Sequence, residues 1–271
     1  MQLLTDILQY EIVYLQHGIL HASTPWKYTP EVLQIDKIVI SSHFEEKNFV
    51  EKYNFREEAL LKSGMPRFNY IDKNKKFKNR ILFAPSWRNY LIKPQVNNFW
   101  EPENEKFLKS DYYISFNRFL NSSELENVLS ENDLYLDFKI HPIFTEYLQL
   151  FDNTNEHVSF VAGTVADEEY AAFITDFSSF VFDFVYLKRP IMYFVPDYLQ
   201  FKSGMGSYRE LDLPFDKAFG NLVTNVDSAV SELSRIIKNN FVPELVFMER
   251  MDKFYLSIDD CCEKLYSCLK D

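Results

Sequence analysis

A chain of 271 residues that is 46% hydrophobic can build the core of one large domain or two small ones. Its aromatic share of 17% and its 6 glycines exclude a low-complexity or disordered chain and argue against Gly-rich phosphate loops. With 40 acidic against 29 basic residues the formal net charge is −11, a field that repels nucleic acid and anionic headgroups, so an anionic substrate has to be held by a local site.

In chain order, residues 1–20 carry Asp6 and Glu11 inside an apolar stretch and lack a basic start, which does not fit a secretory signal. Apolar, β-rich runs follow at 11–16, 35–41, 80–85, 134–140, 158–162, 173–175, 190–196 and 221–225. Helical patterns alternate with them at 44–53, 178–187, 227–239 and through most of 244–270. Ser123 with Glu126 reads as a capping box that opens a further helix carrying Leu125, Val128 and Leu129 on one face. Such alternation predicts an α/β fold of parallel strands with crossover helices. The longest apolar run, 180–187, contains Asp183 and is too short to span a bilayer, so a cytoplasmic chain is expected, with docking at the inner membrane face left open. Cys261, Cys262 and Cys268 have neither metal-ligand spacing nor an even count and read as reduced thiols.

The basic, polar stretch 73–79 separates two strand-bearing regions, and the domain boundary is expected there. Residues 1–72 are short for an independent doubly wound domain, so the first domain is expected to be partial; residues 73–271 suffice for a complete one.

In doubly wound sheets ligands bind beyond the carboxyl ends of the strands. Four such positions carry chemistry: His17-Gly18, then Ser86-Trp87-Arg88, then His141-Pro142, then Asp176-Phe177-Ser178-Ser179. The last is a strand feeding a helix, where hydroxyls and unpaired backbone N–H groups suit a phosphate; the plainer reading is that Asp176 or Ser178 caps the helix. Asp183 lies one turn past Ser179, poised to fix the serine, contact a ligand or cap a notch. Pro142 restricts His141 to extended backbone geometry, and Gly18 permits close approach behind His17. Arg88 is a fork-shaped donor suited to phosphate and otherwise a surface ion-pair partner; Lys139 adds a positive group near His141. No Ser-His-Asp elbow, Walker loop or zinc spacing is present in the sequence.

Six segments taken together, Gln16-His17-Gly18, GMPRFNYI at 64–71, ILFAPSWR at 81–88, KIHP at 139–142, ITDFSSFVFDFVYLKRPIMYF at 174–194 and SYRELDLPF at 207–215, resemble the CDP-glycerol glycerophosphotransferase family in order and spacing. The resemblance implies a GT-B-like architecture: a partial Rossmann-like acceptor domain over 1–72 and a Rossmann-like nucleotide domain over 73–271. It implies transfer of glycerol phosphate from CDP-glycerol to a hydroxyl of a growing cell-surface polymer (polyol phosphate or polysaccharide, as in teichoic acid or capsule), with release of CMP. His17 would be the general base on that hydroxyl and His141 a contact to the diphosphate. Gly18, Arg88, Lys139, Thr175, Asp176, Ser178, Ser179 and Asp183 would line the donor site. Arginine, imidazole and a helix N-terminus could neutralise a diphosphate without a metal; magnesium is left open. Gln16 stands where the family has an aromatic residue and Phe177 where it has tyrosine, which leaves CDP-ribitol or another CDP-polyol open as donor. Members carry a longer segment before the His-Gly strand, so a missing N-terminal domain acting in trans is also implied. Three alternatives stay open: an inactive nucleotide-binding module, a fragment of a split enzyme, and a GT-B glycosyltransferase using a nucleotide sugar, for which Asp183 is the acidic contact.

Overall fold

A computed structural model describes residues 10–93, 101–205, 210–256 and 259–270. Residues 1–9 of the 1–20 segment tested for a signal, and residues 207–209 of the last motif, lie outside the described residues. The chain divides into two compact units, Met1–Asp72 with Asp252–Asp271, and Lys73–Met251. The residues Asp252–Asp271, expected in the nucleotide domain, thus group with the first unit; Cys262 N–H donates to Asn69 Oδ1 at 3.0 Å, and the Phe68 and Tyr255 rings meet edge to face at 5.5 Å.

The first unit is a small parallel sheet in the order β1-β2-β3, from β1 (Val13–Tyr14), β2 (Lys37–Val39) and β3 (Leu60–Leu61), with α1 (Pro30–Leu33) before β2. β3 was not among the apolar runs read as strands: two residues are too few to show alternation. Helix α2 (His43–Glu51) follows β2 and is capped by Ser42, whose hydroxyl accepts from Glu45 N–H, while Glu45 reaches back to Ser41 N–H and Ser42 Oγ at 2.8 and 2.9 Å. The core here is Ile38, Ile40, Phe49, Tyr53, Phe55 and Leu60, all buried.

The second unit is a six-stranded parallel sheet in the order β6-β5-β4-β7-β8-β9. Its strands are β4 (Arg80–Phe83), β5 (Tyr135–Phe138), β6 (Val158–Phe160), β7 (Ala172–Thr175), β8 (Ile191–Phe194) and β9 (Gly220–Val223). β7 and β8 are buried along their whole length, as parallel strands covered on both faces must be. Alternate residues divide the two faces: Phe83, Phe138, Ile174 and Phe194 join the core built with α4 (Asp111–Leu120), α5 (Ser123–Glu131) and α8 (Val226–Lys238), with α3 (Asn104–Leu108) preceding α4. Phe173 points the other way and stacks on Phe184 of α6 (Val181–Tyr186) at 4.1 Å. Between β8 and β9 stands α7 (Tyr198–Lys202); α9 (Leu245–Asp252) and α10 (Cys261–Cys268) end the chain. The cap of α5 is Ser122, which accepts from Leu125 N–H at 3.2 Å, so Ser123, expected as the cap, is instead the first helical residue. At β9 a glycine is required, because a Cβ on Gly220 would lie 1.9 Å from the Ile191 carbonyl oxygen.

Candidate functional site

In the second unit the chain winds outward from β4 in both directions, so the topological switch point lies between β4 and β7, and the loops after these strands border the crevice where open α/β sheets take ligands. Thr175, the last residue of β7, is buried and donates its hydroxyl to the Ala84 carbonyl at 2.9 Å, tying the two loops together. Asp176 follows, also buried; its Oδ1 accepts from Ser86 N–H and Ser86 Oγ, both at 2.8 Å, and from Phe177 N–H at 2.5 Å.

Arg88 completes this floor. Its Nη1 pairs with Asp176 Oδ2 at 2.8 Å, while Nε and Nη2 grip Asp197 at 2.5 and 2.9 Å, and Tyr90 donates to the same carboxylate at 2.7 Å. The guanidinium lies against the rings of Phe177 and Tyr112, at 4.7 and 5.1 Å from their centroids. Burial opposes its charge, but the two carboxylates outweigh burial and hold it firmly protonated. Burial likewise works against the Asp197 anion, yet Arg88 brings this carboxylate below its usual range; burial pushes Asp176 upward, against the pull of Arg88 and Ser86. The expectation that Arg88 meets phosphate directly is therefore revised: its fork is engaged by Asp197 and Asp176, and the exposed ion pair offered as its plainer role is a buried one. Asp197 was missed, although it stands just beyond the apolar run 190–196, where the strand-end rule applies.

Above this floor, Ser178 and Ser179 are half-buried. Ser178 Oγ accepts from Phe180 N–H at 3.2 Å within the turn before α6, whose cap is Phe180 with no side-chain capping bond, so neither Asp176 nor Ser178 is the helix cap of the plainer reading; the Ser179 hydroxyl bonds to no described residue. Asp183 is 5% exposed, inside α6.

His141 follows β5, the other neighbour of β4. Its backbone is extended, φ −60° and ψ 140°, as Pro142 dictates. Nδ1 accepts from Ile143 N–H at 3.2 Å, so in the neutral ring the proton sits on Nε2, which is left as a donor. Burial, and then the charge of Lys139, depress its pKa to about 4, which keeps the ring neutral near pH 7. Lys139 itself is half-buried just past the end of β5, and its N–H donates to the Phe83 carbonyl at 2.9 Å. The Trp87 ring lies 6.2 Å from that of His141, so Ser86, Trp87, His141 and the β7 loop belong to three adjacent strand ends.

In the first unit His17 is exposed and Gly18 buried, three and four residues past β1. Gln16 holds a left-handed backbone, φ 59°, uncommon for a residue with a side chain. Its Nε2 donates to the Val39 carbonyl at 2.5 Å and to Glu45 Oε1 at 3.0 Å, and Arg67 donates to the His17 carbonyl at 2.7 Å. Tyr14 Oη lies 3.2 Å from His17 Nδ1. Among the described residues no group of three or more His, Cys, Asp or Glu side chains is arranged to hold a metal ion, and no helix is long and apolar enough to cross a membrane.

The minor teichoic acid biosynthesis protein GgaB of Bacillus subtilis is 28% identical over 94% of this chain and 28% of its own length. A teichoic acid poly(glycerol phosphate) polymerase of Bacillus spizizenii is 31% identical over 64% of this chain and 40% of its own. The structure of the wall teichoic acid polymerase TagF superposes with a TM-score of 0.63 at 17% identity, covering 95% of this chain and 66% of that one, which shows a shared GT-B-like fold. The chain thus spans well under half the length of these two curated relatives. The family model of the CDP-glycerol:poly(glycerophosphate) glycerophosphotransferases matches residues 15–261, from the turn at His17 to α10 and through both strand-end loops, and the chain belongs to that family.

Proposed function

We propose that the chain transfers glycerol phosphate, or a similar polyol phosphate, from a CDP-activated donor to a hydroxyl of a growing teichoic acid or related cell-surface polymer and releases CMP, working at the cytoplasmic face of the membrane. The observation that carries this reading is the switch point of the second unit, where a serine-bearing strand-to-helix loop and a neutral His141 with its proton on Nε2 stand at neighbouring strand ends. A diphosphate held there receives N–H and O–H donors from Ser179, His141 and the β7 loop, with Lys139 supplying positive charge. Arg88, Asp176 and Thr175 act beneath it by fixing the loops.

In the reaction the acceptor oxygen attacks the phosphorus that bears glycerol. The bond from that phosphorus to the bridging oxygen breaks, and its electron pair leaves with CMP. The hydroxyl proton goes to a base, which this reading takes to be His17. His141, donating through Nε2–H, offsets charge that develops on the departing phosphate.

Measuring donor affinity and CMP release side by side tests the assignment. His17→Ala should leave CDP-glycerol affinity within a few-fold and lower turnover by roughly 10² to 10⁴. Wild-type turnover in His17→Ala would remove His17 from the chemistry. A second reading is a nucleotide-binding module without turnover; binding of CDP-glycerol with no CMP release from any polyol-phosphate acceptor would select it.

A further inference from the structure

If His17 is to take a proton, one ring nitrogen must be free, and a neutral imidazole does not by itself decide which. In the structure its Nδ1 is engaged. Tyr14 ends β1, and with the left-handed turn at Gln16 between them its hydroxyl lies 3.2 Å from His17 Nδ1. The backbone around the pair is pinned, Gln16 to Val39 and Glu45, and the His17 carbonyl to Arg67.

A phenol both donates and accepts, so the contact fits either Nδ1–H donating to Tyr14 Oη or the Tyr14 O–H donating to Nδ1, and the first of these leaves Nε2 its lone pair. Resting on the reading of His17 as base, we propose that Tyr14 is a positioning residue that keeps the proton of neutral His17 on Nδ1 and so leaves the Nε2 lone pair to accept the proton of the acceptor hydroxyl. One proton moves, from the attacking oxygen to Nε2, and the imidazolium keeps its Nδ1–H on Tyr14. With the opposite polarity, Tyr14 donating to Nδ1, the ring proton would sit on Nε2 and no nitrogen would be free.

Nitrogen NMR of the histidine-labelled 271-residue chain, with His17 identified by its loss in His17→Gln, reads the tautomer directly. The expected result is Nδ1–H in the neutral wild-type ring. Tyr14→Phe should move it toward Nε2–H, the form free imidazole prefers. Where CMP release is measured, Tyr14→Phe should lower kcat roughly ten- to a hundredfold with KM for CDP-glycerol within about twofold. A wild-type His17 already protonated on Nε2, or a tautomer unmoved by Tyr14→Phe, overturns the proposal whatever the assay gives. If the tautomers behave as stated yet His17→Gln turns over like wild type, the base reading fails, and the role of Tyr14 in turnover falls with it.

Discussion

Arg88 and His141 stand at neighbouring strand ends and offer a ligand opposite things. Arg88 spends its donors on Asp197 and Ser86 and its charge on Asp197 and Asp176, so its replacement is first a stability event. Arg88→Ala leaves two carboxylates buried without their cation and should destabilise the protein by roughly 3–5 kcal/mol, read from its denaturant midpoint. His141 has one nitrogen used within the protein and one left over. His141→Gln can keep an N–H near the position of Nε2 and should bind CDP-glycerol more tightly than His141→Ala, which should lose on the order of 1–3 kcal/mol; equal affinities of the two variants would deny the Nε2–H contact. The pKa of His141 is about 4 in the fold against an ordinary 6.5, so the unfolded chain takes up this proton first, and the stability it contributes is lost as pH falls from 6.5 toward 4.

At the scale of elements, the informative piece is the start of α2. Glu45 is 2% exposed yet serves three donors at once, Ser41 N–H, Ser42 Oγ and Gln16 Nε2, joining the ends of β1 and β2 to the helix. Burial raises its pKa from 4.5 to about 7, against the pull of those hydrogen bonds. The folded state therefore holds this proton where the unfolded chain has released it, and stability falls as pH rises from 4.5 through 7. Glu45→Gln, neutral at every pH, should flatten this dependence, and its melting temperature should gain on wild type between pH 5 and pH 8; parallel curves for the two proteins would mean that Glu45 is ionised throughout. Ser42 with Glu45 is a capping box the sequence carries openly, but it was passed over because a helix start does not by itself reveal that its glutamate also turns toward a neighbouring strand. The longer strands were legible because β4, β7 and β8 each carry three or four apolar residues in succession. β3 was not, being two residues long, and the shift from Ser123 to Ser122 at α5 reflects adjacent serines equally able to cap.

For the whole molecule, the two halves differ in how far the sequence speaks. The strand order β6-β5-β4-β7-β8-β9 places His141, the Ser86 loop and the Ser178 loop at adjacent ends, and local pattern had already marked each of these as a strand end. What pattern did not carry was the internal pairing: Arg88 with Asp197 spans 109 positions, and only the fold shows that the fork is taken. The assignment of Asp252–Asp271 to the first unit was hidden for the same reason, since a helix pattern does not say which sheet it returns to. The account stands or falls on the donor. Calorimetric titration of the 271-residue chain with CDP-glycerol and, in parallel, with UDP-N-acetylglucosamine measures it most directly. CDP-glycerol should bind, Ser179→Ala should weaken that binding by about 1 kcal/mol, and the UDP-sugar should give no heat of binding. Binding of the UDP-sugar with none of CDP-glycerol would contradict the account.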